Sequence, residues 1–165
     1  MRLAAKVTAA VLVLDQITKY AVVHGMGLDR KLAIDVLPPW LNFRMAWNQG
    51  VNFGLFAGNN DWSRWVLIAV ALAISAWVWR WVTREAHSKP MQISAGLLIG
   101  GALGNVVDRV LYGAVADFLN MSTPWFSNPY SFNVADITVF AGAAGLVLFS
   151  GREASKKPAD KERKG

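Results

Sequence analysis

Two aspartates are the side chains best suited to chemistry: Asp117 in Val115–Phe118 (VADF) and Asp136 in Phe132–Asp136 (FNVAD). They bracket a loop between two apolar segments. Two carboxylates at one low-dielectric site cannot easily both be ionised. Repulsion and desolvation raise one pKa, and the pair shares a proton. The ionised partner then takes a proton from water, while the protonated one donates a hydrogen bond to a substrate carbonyl. Such a dyad needs no metal, cysteine or histidine. Spacing alone leaves other readings open. Buried aspartates also cap helices, pair with arginine or ligate ions, and Asp136 could simply pair with Arg109.

Competing chemistries find less support. The chain contains no HExxH zinc motif and no GxSxG nucleophile elbow. It has no cysteine, which excludes disulfides and thiolate-ligated metals. Its two histidines, His24 and His87, fall on opposite membrane sides in the topology below and cannot share a site. Neither a metal nor a cofactor is expected.

The elements that must position the aspartates follow from composition. The 165 residues are 54% hydrophobic and include eight Trp, and the mean hydropathy is +0.30. That is too apolar for an ordinary soluble domain of this size. Four long apolar stretches, at residues 4–23, 62–82, 91–112 and 132–150, suggest a single polytopic helical membrane domain over residues 1–165. The net charge of +6 would suit nucleic acid, but its placement decides otherwise. Arg2, Lys6, Arg80, Arg84, Lys89 and a basic tail at 152–165 lie at one set of segment ends, the mark of a cytoplasmic face. Both termini are therefore expected inside, with outer loops at 25–61 and 113–131. The charged tail is expected to be disordered.

The first segment resembles a secretory signal peptide, but Asp15 and Lys19 interrupt it and no small-residue cleavage site follows. It reads as a retained span. Asp15 and Lys19 are four apart, share a helix face and can pair, either structurally or to shape a site. In the first outer loop, Leu41, Phe43, Met45 and Trp47 alternate with more polar residues. This predicts a strand, and with it a small sheet between helices 1 and 2 on the outer leaflet. Asn48-Gln49-Gly50 reads as a turn, after which Phe53–Phe56 resumes the apolar character. In the third segment, Gly96, Gly100 and Gly104 form a stripe for close helix packing. Asn105, Asp108 and Arg109 crowd one side near its outer end. Asn133 and Asp136 are three apart at the start of the fourth segment. With both termini inside, Asp15, Lys19, Asn48, Asp117 and Asp136 all converge on one level near the outer face.

Five motifs in order carry a resemblance: DQITK (Asp15–Lys19), NQGVNFG (Asn48–Gly54), GGALGNVVDR (Gly100–Arg109), VADF and FNVAD. The chain resembles the lipoprotein signal peptidases, or signal peptidase II, over nearly its whole length. In the second motif, Val51 and Asn52 replace two alanines of the family's small-residue form. The resemblance implies an aspartic endopeptidase that cleaves diacylglyceryl-modified prolipoproteins before the lipidated Cys. Asp117 and Asp136 match its catalytic aspartates. Asn48, Asn105, Arg109 and Asn133 match residues that line the site and hold substrate. Asp15, accompanied by Lys19, matches a supporting position, and Asp108 is placed with them. The implied setting is the bacterial inner membrane, with prolipoproteins and lipids as partners, no nucleic acid, and a monomer. Two other classes are weighed against it. A small transporter or channel would need polar residues through the full membrane depth, yet segment 2 between Arg64 and Arg80, and the inner halves of segments 3 and 4, are uncharged. A non-catalytic scaffold would use both aspartates only as caps or as partners of Arg109.

Overall fold

The structure is a computed structural model, and it describes residues 2–50, 62–84 and 87–156. Helix α1 spans Arg2–Lys19 and continues through a π-helical turn at Tyr20–Gly25. A short helix α2 (Leu28–Lys31) leads to strands β1 (Ala33–Leu37) and β2 (Leu41–Asn48). Helices α3 (Trp62–Arg84) and α4 (Lys89–Tyr112) follow, then strand β3 (Val115–Asn120) and helix α5 (Val134–Lys156). Four segments, Arg2–Gly25, Trp62–Arg84, Lys89–Tyr112 and Val134–Gly151, are long and apolar enough to cross a membrane. Each overlaps an expected span, with ends displaced by at most two residues. Helix α5 also runs on to Lys156, into the stretch expected to be a disordered tail.

Helix α4 is the hub, packing against α1, α3 and α5. The glycine stripe explains how α1 comes so close. A Cβ at Gly96 would lie 2.6 Å from Val7 Cβ, and one at Gly100 would lie 2.7 Å from Val11 Cβ. At Gly104 the added carbon would meet the Asp15 carboxylate. The stripe thus admits α1 to near-contact with the α4 backbone, which is how helices associate where lipid removes the hydrophobic drive. One apolar cluster, around Val78, Val82, Met91, Ala95, Leu98 and Leu146, joins α3, α4 and α5 towards the end where α4 begins. The outward faces remain apolar. Helix α3 leaves Trp65, Val70, Ile74 and Trp77 about half exposed or more, as a lipid-facing surface requires.

The other end of the bundle carries an antiparallel sheet in the order β1-β2-β3. Two of its strands come from the loop between α1 and α3, as the alternation in Leu41–Trp47 predicts. The third was not expected: β3 lies between α4 and α5 and contains Asp117. Its residues Val115–Phe118 are all buried, so it lacks the period-2 polarity that betrays a half-exposed strand. A register shift between Phe43 and Ala46 also breaks the simple two-faced reading of β2. Asn42 is buried while Trp47 is exposed. A second cluster, Val22, Val23, Leu28, Ala116 and Phe118, ties the sheet to the π-turn and α2. Phe43 packs edge-on to Phe118 at 5.9 Å within it.

Candidate active site

Asp136 is placed by the start of its own helix. Asn133 is the N-cap of α5: its Oδ1 accepts the Asp136 N–H at 2.9 Å, and the Asn133 N–H donates back to Asp136 Oδ2 at 3.3 Å. This reciprocal pair is a capping box built from Asn and Asp. Ala135 N–H, another donor of the first turn, donates to Asp15 Oδ1 at 3.0 Å. The expected helix-capping alternative is thus realised for Asp136, but only through Oδ2. Its Oδ1 accepts from Asn105 Nδ2 at 2.9 Å.

Asp117 is placed by the sheet. β3 pairs with β2 so that Asp117 lies opposite Ala46, two residues from Asn48. Asn48 Nδ2 donates to Asp117 Oδ2 at 3.0 Å, and Asn133 Nδ2 donates to Asp117 Oδ1 at 2.6 Å. Asn48 is held by an Asx turn, since its Oδ1 accepts the Gly50 N–H at 2.9 Å, and Gly50 adopts a φ of 100°. The expected turn at Asn48–Gly50 is present. The rest of that motif, Val51–Gly54, and the apolar Phe53–Phe56 lie outside the described residues.

Asn133 is therefore the hinge of the arrangement. One side chain caps the helix bearing Asp136 and hydrogen-bonds Asp117. It is fully buried, as is most of Asp117, whereas Asp136 is half-buried. Burial, and then the nearby negative charge of Asp136, push the Asp117 carboxyl up to about 6. The bonds from Asn48 and Asn133, and the Lys19 charge, oppose that rise. A shared-proton pair has this electrostatic signature.

Behind the aspartates lies a buried ionic knot. Lys19 Nζ contacts Asp15 Oδ2 at 2.9 Å and Asp108 Oδ2 at 2.8 Å, and donates to Asn105 Oδ1 at 3.2 Å. The Asp15–Lys19 pair expected from spacing is present, and it is a triad with Asp108. Asp108 Oδ2 also accepts the Ala116 N–H at 3.0 Å, fastening α4 to the strand just before Asp117. Gln16 was not singled out in the sequence. Its Nε2 donates to Asp15 Oδ2, Asp108 Oδ1 and Gly104 O at 3.1, 3.1 and 3.3 Å. Its place in DQITK, beside the charged Asp15, was the available signal. Asn120 was missed too. Its Nδ2 donates to the carbonyls of Asn128 and Tyr130, shaping the loop that returns to α5.

Arg109 does not take the role of an Asp136 partner. Among the described residues, no ion pair joins Arg109 to a carboxylate within 4.0 Å. Its Nη1 makes a long bond to Asn105 O at 3.4 Å, and its buried Nε has no partner among the described residues. Asn48, Asn105, Arg109 and Asn133 are thus gathered around the two aspartates, with Asp15, Lys19 and Asp108 behind them. Among the described residues no cluster of three or more His, Cys, Asp or Glu side chains is arranged to hold a metal ion.

Comparison with known proteins gives this geometry a family. Residues 7–151 match Peptidase_A8, the signal peptidase (SPase) II family. A lipoprotein signal peptidase of Methylobacterium sp. (strain 4-46) is 43% identical, over 85% of this chain and 83% of that protein. One from Rhodopseudomonas palustris is 39% identical, over 89% of this chain and 92% of the relative. A solved bacterial membrane enzyme, determined by the in meso method at 2.3 Å, superposes with a TM-score of 0.75 and 26% identity. That likeness covers 94% of this chain and 92% of the solved one. With four apolar helices, the sheet and the family match in agreement, this membrane protein belongs to the signal peptidase II family of peptidases.

Proposed function

We propose that this chain is an aspartic endopeptidase that removes the signal peptide of diacylglyceryl-modified prolipoproteins, with Asp117 and Asp136 as its catalytic pair. The observation that carries the reading is the shared partner: Asn133 hydrogen-bonds both carboxylates across the α5 N-terminus and β3. In this reading a water between the carboxylates loses a proton to Asp136 and attacks the carbonyl before the lipidated Cys. Asp117 donates its proton to the carbonyl oxygen, giving a gem-diol. As the diol collapses, the C–N bond breaks and a proton passes to the departing nitrogen. The products are a signal peptide with a new carboxylate and a lipoprotein with a free α-amine. General acid–base catalysis of this kind supplies factors of about 10²–10⁴ per group.

Asn48, Asn105, Arg109 and Asn133 are proposed to hold the unwound substrate backbone, which needs hydrogen-bond partners that lipid does not offer. That Arg109 Nε has no partner among the described residues supports that role. Asp15, Lys19 and Asp108 are positioning residues: they reach the pair through Ala135 N–H, Asn105 and Ala116 N–H, not directly. The proposed setting is the bacterial inner membrane, with both termini cytoplasmic and the pair near the outer face. The test uses a lipidated precursor peptide and purified protein in detergent. Asp117→Asn and Asp136→Asn should each lower turnover more than about a thousandfold while the helical content is retained. Normal cleavage by either variant would falsify the assignment.

A further inference from the structure

Each of the two proposed catalytic aspartates is gripped one residue ahead of itself. Ala116 N–H, just before Asp117, donates to Asp108 Oδ2 at 3.0 Å. Ala135 N–H, just before Asp136, donates to Asp15 Oδ1 at 3.0 Å. The two grips are alike: a buried carboxylate on a spanning helix holds the backbone amide beside a proposed catalytic residue. One grip holds the start of β3, the other the first turn of α5. Asn133 joins these elements from the side of the aspartates. From the opposite side, their separation is set by whatever ties Asp15 to Asp108.

Two side chains span that gap. Lys19 Nζ contacts the Oδ2 atom of each carboxylate, at 2.9 Å for Asp15 and 2.8 Å for Asp108. An ammonium is a compact charge on a flexible stem, and it lets a carboxylate swivel about the contact. Gln16 constrains more. Its Nε2 lies 3.1 Å from Asp15 Oδ2, 3.1 Å from Asp108 Oδ1 and 3.3 Å from Gly104 O. Two amide hydrogens thus serve three acceptors. Asp108 Oδ2 is already engaged by Ala116 N–H and Lys19, and among the described residues Oδ1 accepts from Gln16 alone. Holding both oxygens in different directions fixes the plane of the Asp108 carboxylate, and with it the aim of the Ala116 amide. The contact with Gly104 O pins the same amide group to the α4 backbone.

We propose that Gln16 is a positioning residue: by locking Asp15 to Asp108 it sets the separation of Asp117 and Asp136. Its consequence for turnover rests on the aspartic reading above. The lock itself does not, because it is a relation between two backbone grips.

The experiment compares the full-length wild type with Gln16→Met in detergent. Gln16 borders a cavity of about 230 Å³, so methionine, of similar length and flexible, fits there without crowding. The first measurement is residue-resolved amide hydrogen exchange. Exchange at Ala116 and at Ala135 should quicken about tenfold in the variant. The amide of Met45, which donates to Leu32 O at 2.9 Å away from the knot, should be unchanged. The second measurement is cleavage of a lipidated precursor peptide. The value of kcat should fall roughly a hundredfold, since small displacements of reacting groups have costs of that size. KM should stay within about twofold, as expected when substrate binding is spared. Unchanged exchange at either alanine overturns the proposal. So does equal quickening at Met45, which would mean general loosening, or an unchanged kcat. A loss confined to KM would make Gln16 a substrate contact and overturn it too. If Asp117→Asn retained turnover, the aspartic reading would fail, and the exchange measurement would still decide whether Gln16 locks the two grips.

Discussion

At the residue scale, Asp117 makes a prediction that can be signed. Its carboxyl is raised from 3.8 to about 6 in the folded protein, chiefly by burial. Between those values the folded state binds more protons than the unfolded chain, so stability falls as pH rises from about 4 to about 6 and then levels. The full loss is at most about 3 kcal/mol. Asp117→Asn removes this titration and retains a polar side chain between Asn48 and Asn133. Its thermal midpoint in detergent should therefore rise relative to wild type on going from pH 4 to pH 7. A gap between the two proteins that does not change with pH would show that Asp117 does not titrate there. Under the proposed mechanism, cleavage by the wild type should also decline on the alkaline side with an apparent pKa near 6.

At the element scale, the start of α5 does two jobs with one side chain. Asn133 satisfies the Asp136 N–H at the helix terminus and binds Asp117 on the strand. Removing an N-cap costs about 0.5–2 kcal/mol of stability. Asn133→Ala should therefore lower the thermal midpoint modestly. Under the proposed function it should also reduce kcat by about a hundredfold, because the Asp117 carboxylate loses its Nδ2 donor and the Asp136 backbone loses its cap. Asn133→Ser restores the cap but reaches less far. It should recover most of the stability and little of the turnover. If serine rescued both equally, Asn133 would be a cap and nothing more.

At the scale of the whole molecule, the buried Lys19 knot is tolerable only because α1, α4 and β3 close around it together. Breaking such a pair typically costs about 3–5 kcal/mol, since the remaining charge is stranded. The three elements can close because α4 presents Gly104 to Asp15 and Gly96 and Gly100 to α1. The proposed orientation is directly testable, because the chain has no native cysteine. With single cysteines introduced in intact cells, Trp125→Cys should react with a membrane-impermeant maleimide. Lys89→Cys should react only after the membrane is opened. The reverse labelling pattern would place the two aspartates on the cytoplasmic side.

The spans were legible because long apolar runs have few alternatives, and the α3 segment, uncharged from Trp65 to Trp79, is the plainest case. The Gly96-Gly100-Gly104 stripe, the Asp15–Lys19 pair and the Asn133/Asp136 spacing were legible for the same kind of reason: a helix maps short sequence separations directly onto one face. What spacing could not show was β3. Its buried residues carry no alternation, and its partner strand is contributed from beyond two intervening helices. The same holds for the joining of Asp108 and Gln16 to the Asp15–Lys19 pair, at sequence separations of 92 and 88 for the Gln16 bonds to Asp108 and Gly104. Sequence alone determined which polar residues could lie together near one end of the spanning segments. Only the tertiary packing decided that Asn133 would join the two aspartates and that Arg109 would form no ion pair with Asp136. Those outcomes depend on how α4, α5 and the sheet meet in space, a relation that local periodicity does not encode.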